Sequence, residues 1–147
     1  MSCLPKRASS SWKSTARVAF TVESLPQARR RLLAELTDHH VDEEAGYDAA
    51  LVLAELVSNA LRHGSPLGDG GLRLTWGCWD DHLHVHVTDG GAQTRPLMRN
   101  APSSATSGRG LSIVEAVSTS WGVDRKVEAT TVWALLPTHS DHDAPVS

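Results

Sequence analysis

Leu53-Ala54-Glu55-Leu56-Val57-Ser58-Asn59-Ala60-Leu61-Arg62-His63-Gly64 is the stretch on which the reading of this chain turns. Leu53, Leu56, Val57, Ala60 and Leu61 recur at three- and four-residue steps, the spacing that gathers apolar side chains on one side of a helix. The pattern reaches back to about Tyr47 and predicts a helix over 47–63. Glu55, Asn59 and Arg62 follow at i, i+4 and i+7, so they share a second face, away from the apolar stripe. Gly64-Ser65-Pro66 and then Gly68-Asp69-Gly70-Gly71 end the helix with residues suited to turns.

On the C-terminal side, Leu72–Trp76 and Leu83–Val87 are β-type runs joined through Trp79-Asp80-Asp81, and they read as an antiparallel hairpin. From Gly90 to Gly108 no periodicity is visible, and a connection of that length is usually functional. Leu111–Val117 suggests a further helix, and Thr130–Leu136 a last strand ended by Pro137. On the N-terminal side, Arg17–Val22 reads as a first strand, and Ser24 is placed to cap a helix through Ala28, Leu32, Leu33 and Leu36. Arg29, Arg30 and Arg31 point in different directions around that helix and read as solvated. The polar stretch 37–44 reads as a turn. Strands and helices in this mixture, with neighbouring antiparallel strands, predict an α+β two-layer sandwich whose mixed, mostly antiparallel sheet carries its helices on one face. Residues 1–16 and 139–147 are expected to be poorly ordered tails around one folded unit over 17–138.

The 147 residues suit one domain. Hydrophobic residues at 40% and charged residues at 21% argue against disorder and coiled coils. No window approaches the roughly 20 apolar residues of a membrane-spanning helix. Fourteen basic against 17 acidic residues give a net charge of -3, so nothing favours general nucleic-acid binding. Lys6, Arg7 and Lys13 precede no apolar stretch, which argues against a secretory leader. Cys3 and Cys78 form no CxxC pair, the pattern of a protein in a reducing cytoplasm.

Three polar constellations could carry chemistry. No GxxxxGK[ST] loop is present, and Gly108-Arg109-Gly110-Leu111 is no GxGxxG run after a strand, which argues against P-loop enzymes and dinucleotide-binding dehydrogenases. On the main helix, an amide oxygen at Asn59 suits a hard Mg²⁺ ion, and the Glu55 carboxylate one turn away can take a proton from a nucleophile. A solvated polar face would look the same. Asp89-Gly90-Gly91 follows a strand: the carboxylate can accept from an exocyclic amine while glycine lets a flat ring approach the backbone, although a plain turn also uses Asp-Gly. Gly108-Arg109-Gly110 opens a helix at Leu111, where free N–H groups and a guanidinium suit phosphate.

In this order and spacing the three resemble the ATP-binding domain of the GHKL ATPases, the group of DNA gyrase B, Hsp90, bacterial histidine kinases and MutL. They are most similar to the small anti-sigma-factor serine kinases of the actinomycete type. Leu53–Gly64 looks like the N box, Val87–Gly91 like the adenine-binding box, and Gly108–Val114 like the second glycine-rich box. Trp121-Gly122-Val123 resembles the exit from the family's last helix, and Thr131–Pro137 its closing strand. The likeness runs from about Val18 to Pro137. Two departures stand out: Ala92 and Gln93 follow Gly91 where the fuller DxGxG pattern has its second glycine, and Ala129 replaces a glycine.

The resemblance implies ATP and Mg²⁺ as ligands. Asn59 would hold the metal, Glu55 would be the general base toward a protein serine, and Asp89 would hold the adenine amino group beside Gly91. Arg62, Gly108, Arg109, Gly110 and Leu111 would belong to the nucleotide site, Thr131 would support the adenine, and residues from about Arg95 to Ser107 would form a lid. The implied protein is a cytoplasmic anti-sigma factor with serine/threonine kinase activity toward an anti-anti-sigma partner of the STAS type. It would also bind a sigma factor and form a homodimer, with no role for membrane or direct nucleic-acid contact. Two rivals stay open: a noncatalytic ATP-binding interaction module, and a catalytic fragment of a two-component kinase acting in trans.

His82, His84 and His86 alternate on a strand and share a face, too linear for a compact metal site, and are expected to be solvated or to touch a partner. His39-His40 lies in a polar loop, unlike a phosphoacceptor histidine on a helix. Most of Trp76, Trp79, Trp121 and Trp133 are expected in the core.

Overall fold

The computed structural model describes residues 11–91 and 111–138. In chain order these form β1 (Trp12–Ala19), a 3₁₀ turn (Val22–Ser24), α1 (Leu25–Asp38), α2 (Glu43–His63), β2 (Gly71–Trp79) and β3 (His82–Asp89). There follow helical residues 111–117, here α3, then β4 (Ser120–Lys126) and β5 (Ala129–Pro137). The five strands make one sheet in the order β1-β2-β3-β5-β4. Every neighbouring pair is antiparallel, so among the described residues the sheet contains no parallel pair and is not the mixed one expected. The α+β class and the helix layer on one face are as expected.

The layers follow from strand alternation. Leu72, Leu74 and Trp76 of β2, Leu83, Val85 and Val87 of β3, and Val132, Ala134 and Leu136 of β5 all turn to one face and are buried. There they meet Leu32 and Leu36 of α1, Leu53, Leu56 and Val57 of α2, and Val114 of α3 in a single core. Trp76 is fully enclosed. Its indole N–H donates to Glu35 Oε1 at 2.9 Å, so the one polar atom of the largest core side chain is satisfied. The Ser14 hydroxyl donates to the same oxygen at 2.5 Å, and Arg31 Nε to Oε2 at 2.9 Å. Burial works to raise the Glu35 pKa, but the hydrogen bonds from Ser14, Arg31 and Trp76 outweigh it and hold the carboxyl below its ordinary value.

Several element ends differ from the sequence reading. β1 begins at Trp12, inside the expected tail, because residues 12–19 pair with residues 71–78 of β2. Its other end falls at Ala19, and Ser24 makes no side-chain cap to α1; its hydroxyl donates instead to the carbonyls of Thr21 and Ala19, closing the turn. α2 starts four residues early because Asp42 caps it, accepting from the Ala45 N–H at 3.1 Å. Trp121-Gly122-Val123 is no helix exit: it lies in β4, an edge strand paired with β5. The hairpin is present, its two-residue turn formed by Asp80 and Asp81 at φ of 55° and 63°, the mirror-image turn geometry that matches strand twist.

Among the described residues, no helix covers the outer face of the sheet. Trp79 stacks on His84 at 3.7 Å, and together with His86, Trp133 and Leu135 they line a groove of about 430 Å³. The histidines are thus not a solvated row. His84 is buried, its Nε2 within 3.1 Å of the Trp79 carbonyl, and burial drives the His86 pKa down to about 4, helped by the nearby charges of His84 and Lys13. Among the tryptophans only Trp76 lies deep in the core, while Trp79 and Trp133 belong to this outer face. No helix among the described residues is long and apolar enough to cross a membrane.

Candidate functional site

The C-terminal end of α2 and the C-terminal end of β3 meet at a set of close contacts. Asp89 is the last residue of β3, and its side chain turns to the helix face, where it is only 4% exposed. Desolvation raises its pKa, against the stabilising backbone N–H groups of Gly91 and Ser65. The Gly91 N–H donates to Asp89 Oδ1 at 2.5 Å. Gly64, which follows α2, packs directly on the carboxyl group: a Cβ built there would fall among the Asp89 carboxyl atoms. Gly90 N–H donates to the Ser65 carbonyl at 2.7 Å, and the Ser65 hydroxyl donates to the Gly91 carbonyl at 2.6 Å. Gly91 sits at φ of 90°, a backbone that favours glycine, and this turns the chain away after Asp89.

Glu55 and Asn59 lie upstream on α2, both partly buried, at the margin of the stripe formed by Val52, Leu53, Leu56 and Val57. At 1.5 Å per residue, Asn59 is about 7 Å and Glu55 about 13 Å along the axis from Gly64. The Asn59 amide and the Glu55 carboxylate therefore follow one another back along α2 from its end at Gly64, where the Asp89 carboxylate of β3 packs. Arg62 is exposed on the same side of α2. Leu111 starts the described part of α3 and packs partly against the core. Gly108, Arg109, Gly110, Ala92, Gln93 and the expected lid at 95–107 lie outside the described residues.

Thr131 is not brought to Asp89. It pairs with Thr88 in the ladder, and the two hydroxyls meet at 2.7 Å on the outer face, where both line the groove under Trp133. Its neighbour Thr130 is the register partner of Asp89, and Thr130 Oγ1 lies 3.3 Å from where a Gly91 Cβ would be. Thr130, which the sequence does not single out, is thus the β5 threonine that shares a face with Asp89. The signal was parity: strand residues opposite each other share a face, and two adjacent threonines cannot both point toward Asp89.

For Mg²⁺, the donor set fits a particular mode of binding. Among the described residues no group of three or more His, Cys, Asp or Glu could enclose a metal. Mg²⁺ commonly keeps water and substrate phosphates as ligands and takes few from protein, which is what one amide oxygen at Asn59 supplies.

A family model described as the histidine kinase-like ATPase domain matches residues 18–136. No curated protein matches the chain. With four-fifths of the sequence inside that match, and with the antiparallel sheet and one-sided helices as its physical counterpart, the chain belongs to the histidine kinase-like ATPase domain family. ATP is accordingly the ligand that membership implies.

Proposed function

We propose that this protein is an ATP- and Mg²⁺-dependent regulatory kinase that phosphorylates a serine or threonine of a STAS-type anti-anti-sigma partner and binds a sigma factor directly. The observation that carries this reading is the placing of Glu55 and Asn59 one turn apart on α2, upstream of the buried Asp89 carboxylate. Asp89, Gly91 and Thr130 would hold the base, and Asn59 and Glu55 on α2 would serve the phosphate end of the nucleotide. Bound there, Mg²⁺ supplies charge neutralisation of the phosphate oxygens. Glu55 accepts the proton of the attacking hydroxyl while that oxygen forms a bond to the γ-phosphorus and the bond to the β–γ bridging oxygen breaks, leaving ADP. The partners and the homodimer rest on the resemblance to the anti-sigma kinases.

The test is phosphotransfer from labelled ATP to the STAS-domain proteins of the source organism, with wild type beside Glu55→Gln. A kinase gives acid-stable phosphoserine or phosphothreonine, and Glu55→Gln abolishes it while ATP still binds. ATP binding without transfer to any of these proteins identifies a noncatalytic module; acid-labile product identifies a histidine kinase fragment.

A further inference from the structure

The contacts between residues 64–66 and 89–91 do more than join a helix end to a strand end. Asp89 is the last residue of β3 and its side chain ends where helix α2 ends, so its orientation depends on what the chain does next to it. Three features fix it. The Gly91 N–H holds Oδ1. The bare Cα of Gly64 leaves the space that the carboxyl group fills. The 89–91 backbone that carries both is tied to Ser65 twice, through the Gly90 N–H at 2.7 Å and the Ser65 hydroxyl at 2.6 Å. A Cβ on Gly90 would run into the Pro66 carbonyl, so the two strands of chain are in contact along their length.

We propose that Gly64 and Ser65 are positioning residues that fix the Asp89 carboxylate and thereby set the purine preference of the site. An ionised carboxylate only accepts hydrogen bonds. Held still, it rewards a base that presents an amino group and leaves a base presenting a carbonyl oxygen facing another acceptor. Free to turn aside, it would lose that discrimination, since a site rejects an analogue strongly only when its buried polar group has no alternative partner. The inference rests on the nucleotide reading of the site and extends it to two residues that touch no ligand themselves.

The experiment uses the full chain and titrates ATP and inosine triphosphate, which carries a carbonyl in place of the amino group, into wild type, Ser65→Ala, Ser65→Thr and Gly64→Ala, each with a thermal melt. Wild type prefers ATP. Ser65→Ala, which deletes one hydrogen bond, narrows the ATP-to-inosine triphosphate affinity ratio about fivefold to tenfold. Ser65→Thr, which keeps the hydroxyl, retains the ratio, and Gly64→Ala narrows it at least as far as Ser65→Ala. Should Gly64→Ala fail to fold, the Ser65 pair decides. An unchanged ratio in folded Ser65→Ala overturns the inference and leaves the nucleotide site intact. No ATP binding by folded wild type overturns the nucleotide reading itself, and this inference with it.

Discussion

Asp89 and Thr130 stand opposite each other across β3 and β5, while Thr131, one residue on, pairs with Thr88 on the other side of the sheet. This separates two hydroxyls that sequence alone cannot tell apart. Thr130→Val should weaken ATP binding by about tenfold, the worth of a hydrogen bond in a desolvated site. Thr131→Val should leave binding unchanged and cost stability by about 1 kcal/mol through loss of the Thr88 bond. Calorimetric titration and denaturant melts of the two variants check both halves, and equal binding losses would place both threonines wrongly.

Glu35 ties β1, β2 and α1 together through Ser14, Trp76 and Arg31. Glu35→Ala leaves the buried Trp76 N–H without its partner and should cost roughly 1–3 kcal/mol in urea melts. Because the folded carboxyl titrates below the ordinary glutamate value of 4.5, its stabilising effect is complete above that value and is lost as pH falls through the folded pKa. Melts across acidic pH should show that loss in wild type and not in Glu35→Ala.

His86 has the opposite charge type and the same pH direction. Its folded pKa of about 4 lies under the ordinary histidine value of 6.5, so between those values the unfolded chain holds a proton that the folded chain lacks. Stability should therefore fall as pH drops through that window. His84, lowered chiefly by its own burial, adds in the same sense. Replacing His86 by Gln should flatten the profile above pH 5, where Glu35 is still ionised; an unaltered slope would show that the ring is solvated.

Asn59→Ala should make ATP binding insensitive to Mg²⁺, measured by titration with and without the metal, while Asp89→Asn should abolish binding in either condition. Glu55→Gln should bind ATP normally and transfer phosphate at least about 100-fold more slowly, the usual contribution of a general base. A Glu55→Gln protein that transfers phosphate at the wild-type rate would remove that residue from the chemistry.

What could be read from sequence depended on how much of an element's pattern was local. α2 and the β2–β3 hairpin announce themselves through periodic Leu and Val and through Asp80-Asp81. β4 did not, since Trp121-Gly122-Val123-Asp124 has a glycine at its centre and no alternating run; it is a strand because β5 offers it a ladder. The start of β1 was hidden for the same reason, with Lys13 and Ser14 recruited by pairing with β2. At the site, the residue types on α2 and at Asp89 were legible, since chemistry names them. Gly64 and Ser65 were not, because their part lies in contact with a segment 26 residues away and not in their own chemistry.

β5 is the last strand among the described residues yet lies between β3 and β4, bonded on both sides. On a ribosome, the sheet therefore waits for its own keystone: until residues up to Pro137 have emerged, β3 presents a bare edge and β4 has no neighbour at all. The segment that carries Asp89 is thus completed only once β5 has been synthesised, and a nascent chain cut short before Ala129 would offer an unpaired apolar edge to chaperones and proteases.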